Sequence, residues 1–543
     1  MPLWDLLVVQ VLTALGLGVA LVWGLSTWYC AAAGLALGLL LVVRVRGMSL
    51  RRWTFLRWAL WRGSRHRTDR NQSESEQPDL FEPFDAELPD GSQIGFRWDG
   101  KTLMSLVRIA DNPQAITIME PAMTVSGETV SMPMLADSLR QFDISIDSID
   151  VISQGCRSRG HNHIAAVYDA VLGPLPAIAH RSVWVAVRLD PTSCPEAIRR
   201  RGGGWEGIVR TAATATRRVA NHLTDAGLRP QILSSSEIAS ATSQLSDGVG
   251  LTTVDETWST CQKGRFQLTS FGVMPELFTT AGLGSLWTVP SHSTTVCISL
   301  RRDGRDDVLK LRGLVRFDGY GRNPVRLRGL TKLPGQQLAA LTCSLPVPPP
   351  RRPVGGWVFG EGDRAIDELV LPASGCGQVI GADEYGRAVA LPVFGPKIRR
   401  VEMCGTLQLA QQVVLRSLAL GARIRVHTRR TEAWQVMVHQ VADHDLLTVA
   451  DRNRPAMQAG SSGNYSVEVF DGIPEHPVRA GVTTVIVNPT NSVPSSECDV
   501  TLQLVDADRD AVQVGTRAGT ALVTMVATDD EMRYLAPPFN LAD

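Results

Sequence analysis

The sequence predicts a membrane-anchored α/β (mixed α+β) protein: an N-terminal transmembrane helical hairpin followed by two cytoplasmic α/β-type subdomains. Three observations predict it. Leu6 to Val43 carries no formal charge. A dense block of arginines follows at once, from Arg44 to Arg70. From Gln93 onward, period-two apolar runs alternate with helical stripes, and a proline-rich stretch, Leu345–Pro353, interrupts them.

The apolar run is too long for one span. A hydrocarbon core takes about 20 apolar residues as helix. The small, turn-forming Gly24-Leu25-Ser26-Thr27 divides the run, with Trp23 and Trp28 on either side. Tryptophan favours the membrane–water interface. Two helices, about Leu6–Trp23 and Trp28–Val43, are therefore expected to fold back on each other. Ala14 and Gly18, and Gly34 and Gly38, are each four apart, so each helix offers a small-residue face for close packing. A cleaved leader ending near Ala31-Ala32-Ala33 is the competing reading. It would need a basic start and a short apolar region, and no Lys or Arg precedes this run. One long anchor is a second alternative.

The flanks set the orientation. Basic residues near membrane ends stay on the cytoplasmic side. Asp5 alone is charged before the run; Arg44, Arg46, Arg51, Arg52 and Arg57 come soon after it. Both ends of a hairpin share one side, which puts the bulk of the chain in the cytoplasm of an inner-membrane protein. Ser49 is a candidate cap for an amphipathic helix to Trp61, with Trp53 and Arg57 suited to a headgroup layer. Thr68–Asp79 is polar and reads as a linker.

The division expected is 1–47 for the hairpin, 48–80 for the basic segment and linker, 81–344 for a first cytoplasmic domain, 345–353 for a proline-rich linker, and 354–543 for a second. In the first, Asp99-Gly100 marks a hairpin. Leu135, Leu139 and Phe142 are spaced for one helix face, and Asp143, Asp147 and Asp150 alternate with isoleucines as on the solvent side of a strand. Val183, Val185 and Val187 share a strand face. Ile208, Ala212, Ala215, Val219 and Leu223 form a helical stripe that stops at Gly227. In the second, a hairpin over 378–393, a helix over Thr406–Leu420 and several β-rich runs follow.

The chemistry is sparse. Lys+Arg and Asp+Glu both number 54, so no global field attracts nucleic acid. Nine cysteines are scattered without a C-x-x-C pair and read as reduced thiols. Arg199-Arg200-Arg201-Gly202-Gly203-Gly204 precedes a helix and is the strongest anion-binding candidate; a solvated loop is its plainer reading. Cys404-Gly405-Thr406 lacks the Gly-Lys pair of a phosphate loop. His161 and His163 would share a strand face without a third ligand. No nucleophile elbow is present. The site candidates are therefore for membrane or partner binding: Trp23, Trp28, Arg44, Arg46, Arg51, Arg52, Trp53, Arg57, Arg199, Arg200 and Arg201. No catalytic, cofactor or metal set is assigned.

LADSLRQFDISIDSIDVISQG (Leu135–Gly155) and Trp184…RLDP…RRRGGGWEGIVRTAATATRRVANHL (to Leu223), behind two spans and a basic segment, resemble the EccE family of the type VII (ESX) secretion system. The resemblance covers the chain to about Gly250 and loosens beyond Pro350. It implies a structural subunit of a multi-copy membrane complex, beside EccB, EccC and EccD, in contact with lipid and without a cofactor. It also implies a peripheral position with the soluble part cytoplasmic. EccC is the ATPase of such machines, in keeping with the missing phosphate-loop lysine. Two other functions fit the residues: a membrane-bound transferase using Asp143 and Asp147 on a metal, or a lipid-tethered adaptor using Arg44–Arg70.

Overall fold

The computed structural model describes residues 3–535 except 25, 43, 46–47, 50–52, 59, 61–81, 122, 160–162, 303–307, 322–324, 351–353, 360–365 and 451–464. The polar stretch Thr68–Asp79 lies outside the described residues, as does His161.

Helices α1 (Leu3–Trp23) and α2 (Thr27–Val42) turn at Gly24, whose φ of +67° favours glycine. They pack closely because α2 presents no side chain at Gly34 and Gly38. A Cβ on Gly34 would lie 3.1 Å from the Thr13 Cα, and one on Gly38 2.9 Å from the Val9 Cα. On α1 the facing residue is Gly16, against the Cys30 carbonyl. Ala14 and Gly18 are instead exposed. Their four-residue spacing is right, but 3.6 residues per turn rotates that stripe away from α2. The side chains of Leu3–Leu6 and Val8 lie outside the described residues. Among the residues that remain, no helix is long and apolar enough to cross a membrane.

A mixed α/β body follows, built on two large sheets. The first is a 13-stranded sheet. Its centre runs Leu309–Tyr320, Ser293–Arg302, Ser148–Cys156, His180–Leu189, Leu103–Ile109, all antiparallel. Both faces are covered. Val151, Val183, Val185 and Val187 pack with Ala212, Ala215, Val219 and Leu223 of the Gly204–Asp225 helix. Ile152, Trp184, Ala186 and Cys297 pack with Ile238 and Leu245 of Ser235–Leu245 and Leu341 of Gln337–Cys343. Cover on both sides buries the central strands nearly throughout, polar residues such as Asp150, Arg188 and Arg316 included.

The second sheet has 12 strands and two halves. The parallel half runs Leu447–Ala450, Ile424–Thr428, Val467–Asp471, Thr483–Asn488, Arg400–Cys404, Val500–Asp506. Parallel neighbours need crossovers. The helices Leu407–Ala419 and Thr431–Val441 supply two of them. The Thr406 hydroxyl caps the first, and Gly421 ends it at φ +89°. The other half is antiparallel, from Ala511–Thr516 to Ala388–Leu391.

Chain order and sheet membership do not coincide. Thr117–Glu120 pairs with Ala388–Leu391, so a segment well before the prolines extends the second sheet. The His163–Leu172 helix lies in the second core, where the Tyr168 hydroxyl accepts the Val379 N–H at 2.9 Å. Val358–Phe359 returns to pair with Leu309–Tyr320 of the first sheet. The start of the proline-rich stretch is held to that sheet: Arg97 donates to the Pro346 carbonyl at 2.7 Å and Arg188 to the Val347 carbonyl at 3.0 Å.

Two local expectations are corrected. The helix holding Leu135 ends at Asp137, and Phe142 sits with φ +54° at the turn of a two-strand hairpin, fully exposed. His163 opens a helix rather than sharing a strand face with His161. In the basic segment Arg44–Val45 pairs with Met48–Ser49 and residues 53–58 are helical, while 50–52, 59 and Trp61 lie outside the described residues.

Candidate functional site

The lipid-facing candidates divide by position. Trp23 and Trp28 stand at the hairpin turn, 77 % and 85 % exposed. Arg46, Arg51 and Arg52 lie outside the described residues, and so does the side chain of Arg44. Trp53 is turned inward. Its ring meets Trp258 edge-on at 6.0 Å, and Leu56 beside it is buried. The Arg57 guanidinium lies 4.7 Å from the Trp53 ring centre and 5.9 Å from that of Trp258, a cation–π stack. The short helix thus docks on the chain's own first sheet domain, while Phe55 and Trp58 stay exposed.

Arg199, Arg200 and Arg201 do not act together. Arg199 and Arg200 end the Pro195–Arg200 helix, where a cation suits the helix dipole, and both pair with Glu196 at 3.5 and 3.4 Å. Arg201 holds Asp143 with two bonds of 2.8 and 3.2 Å. That bond keeps the Asp143 carboxyl below its ordinary range. Gly202, Gly203 and Gly204 all have positive φ, which lets the chain reverse into Gly204–Asp225. The stretch presents two exposed arginines and one structural one.

The three aspartates are not one solvent face either. Asp147 pairs with Arg301 at 2.9 Å, and burial pushes its carboxyl up. Asp150 is buried and bonded to Arg188 at 2.9 Å across neighbouring strands. Each carboxylate already has its own arginine, so Asp143 and Asp147 do not form the open pair a metal-dependent transferase would use.

The densest group of potential ligands is elsewhere, on the parallel sheet. Ile424–Thr428 and Val467–Asp471 are adjacent, and alternate residues face opposite sides. Val426, Val467 and Val469 face the Leu407–Ala419 helix in the second core. His427 and Glu468 point the other way. His427 Nε2 lies 3.2 Å from Glu468 Oε2, and His476, on the loop after the strand, brings its Nε2 within 4.0 Å of the same oxygen. The rings are held by packing: His427 stacks on Phe470 at 4.9 Å, and His476 stands edge-on to both at 4.8 Å. The hydrogen bond from His427 is the main reason the Glu468 carboxyl is held below its ordinary range. Two imidazoles and a carboxylate at this spacing can bind a proton or a metal ion.

Residues 177–273 match the EccE family, described as "Putative type VII ESX secretion system translocon, EccE". Over much of its length the chain is similar to proteins named EccE. It is 26 % identical over 459 residues to the ESX-2 secretion system protein EccE2 of Mycobacterium tuberculosis, covering 81 % of each. It is 25 % identical over 339 residues to the ESX-1 secretion system protein EccE1 of Mycolicibacterium smegmatis, covering 61 % of the chain and 64 % of the relative. It is 27 % identical over 269 residues to the ESX-5 secretion system protein EccE5 of Mycobacterium marinum, covering 48 % and 66 %. The matched stretch runs from the central strand His180–Leu189 through Gly204–Asp225 and Ser235–Leu245 to Phe266–Val273. It therefore contains helices from both faces of the first sheet.

The sequence reading missed His427, Glu468 and His476. They are 41 and 8 residues apart, and no short motif spans such gaps. The one local signal is polar residues at alternate positions of two β-rich runs, which ordinarily marks a solvent face.

Proposed function

We propose that this EccE-like chain is a non-enzymatic structural subunit in the inner-membrane core of a type VII (ESX) secretion system. It anchors and steadies the export channel through its hairpin, with the bulk of the chain cytoplasmic and EccB-, EccC- and EccD-type subunits as neighbours in a multi-copy assembly. The observation that carries this reading is the EccE match at the heart of the first sheet, joined to relatives named as secretion system proteins.

The hairpin supports the anchoring. Val11, Leu15, Val19 and Leu21 on α1, and Leu35, Leu37 and Leu39 on α2, are exposed outside the helix–helix contact. A helix that is apolar all round needs an apolar surrounding. The exposed Arg199 and Arg200 give the cytoplasmic part a basic edge for an acidic neighbour.

The test is purification from native membranes in mild detergent. Secretion-core subunits are expected to co-purify in fixed ratio, and crosslinkers placed at Arg199 and Arg200 are expected to capture one of them. A chain that comes out alone, labels only lipid, or turns over a small molecule would remove the proposal.

A further inference from the structure

We propose that His427, Glu468 and His476 form a binding site for one divalent transition-metal ion of the zinc type. The inference is independent of the secretion-subunit reading, since it rests on side chains outside the family match.

The donor set is two imidazole nitrogens and one carboxylate oxygen, a combination zinc accepts with a fourth position left to water. The three donor atoms all lie within 4.8 Å of one another. A tetrahedral ion with bonds of about 2.0–2.1 Å needs its donors about 3.4 Å apart. His427 and Glu468 are already at 3.2 Å, so His476 alone has to close in. It can do so because it sits on a loop and is about half exposed, whereas the other two are fixed on adjacent strands.

The surroundings favour a ligand role. Phe470 fixes the plane of His427, and both histidines turn the same nitrogen, Nε2, toward Glu468. His476 Nδ1 faces the Pro477 carbonyl at 3.4 Å. The tautomer that donates there leaves the Nε2 lone pair free for a metal. Next to it, Glu475 is paired with Arg400 at 2.7 Å, which ties the loop to the sheet. The open side of His476 gives an ion and its water a way in. Bound, the ion would join two parallel strands to the loop that follows them.

The experiment uses the full chain without a histidine tag, stripped with a chelator, and Zn2+ titrated against a chromophoric chelator. One ion per chain is expected. Glu468→Gln and His476→Ala should each weaken binding at least about tenfold, the low end of what even outer ligand partners contribute. His439→Ala, on an exposed helical turn outside the cluster, should not change it. Co2+ should give the intense visible absorption of a tetrahedral site, lost in His476→Ala. That variant alters an exposed loop residue, so its circular dichroism should match the parent. No bound ion in the parent, or full binding in both cluster variants, would overturn the site.

Discussion

At the scale of single residues, buried charges carry the second domain. Asp471 accepts from Thr428 Oγ1 and Arg430 Nε at 2.8 Å and from Trp434 Nε1 at 2.9 Å. Desolvation pushes its carboxyl up, but these donors outweigh it and the net displacement is downward from 3.8. A carboxyl held low by the fold stabilises fully above its unfolded value and loses that contribution as pH falls through the folded value. Asp471→Asn is therefore expected to cost about 1.5–3 kcal/mol at pH 7. The gap to the parent should shrink as pH drops below about 4, as urea unfolding between pH 7 and pH 3 would record. The Arg416–Glu531 pair is more deeply placed, with 1 % exposure on each side and bonds of 2.8 and 2.9 Å. Arg416 also donates to the Val379 and Ile380 carbonyls, so it cannot swing out. Glu531→Gln leaves a buried cation uncompensated, and a loss of about 3–5 kcal/mol is expected in the same assay. A change under about 1 kcal/mol would mean that water reaches Arg416.

At the scale of elements, the hairpin separates packing glycines from bystanders. Gly34→Val would drive a side chain into the Leu12–Thr13 backbone, whereas Gly18 has nothing within 4 Å of its would-be Cβ. The first substitution should part the helices and lower the thermal midpoint in detergent. Gly18→Val should leave it unchanged, and equal effects would contradict the observed helix faces. Tight helix–helix approach at small residues is the general basis. The short helix over 53–58 makes the same point in reverse. Its two tryptophans and Arg57 suit a lipid surface by composition, yet Trp53 and Leu56 bury against Trp258 and Gly335 of the chain itself.

At the scale of the whole molecule, the two sheets are interlocked. The second takes strands from 117–126 and a helix from 163–172, and the first takes Val358–Phe359 back. Neither sheet is therefore a continuous piece of chain. Differential scanning calorimetry is expected to give one cooperative transition for the two sheets rather than two, because melting either removes contacts from the other. Two separated peaks would show that the exchanged segments contribute little. The EccE match also gains meaning at this scale, since residues 177–273 supply helices to both faces of one sheet and hold its centre together.

Much of this was legible in the chain. The charge-free run and its break gave the hairpin, Asp99-Gly100 gave a turn, and the stripe from Ala212 to Leu223 gave a long helix that does end before Gly227. These are local signals: a period, a cap or a turn residue acts within a few neighbours. Tertiary structure alone decided that Phe142 would stand exposed, that Asp150 would be buried with Arg188, and that His427, Glu468 and His476 would meet. Those outcomes depend on which strands become neighbours. Pairing between distant segments is chosen by the sum of many burial contacts, and no single stretch of sequence carries that sum.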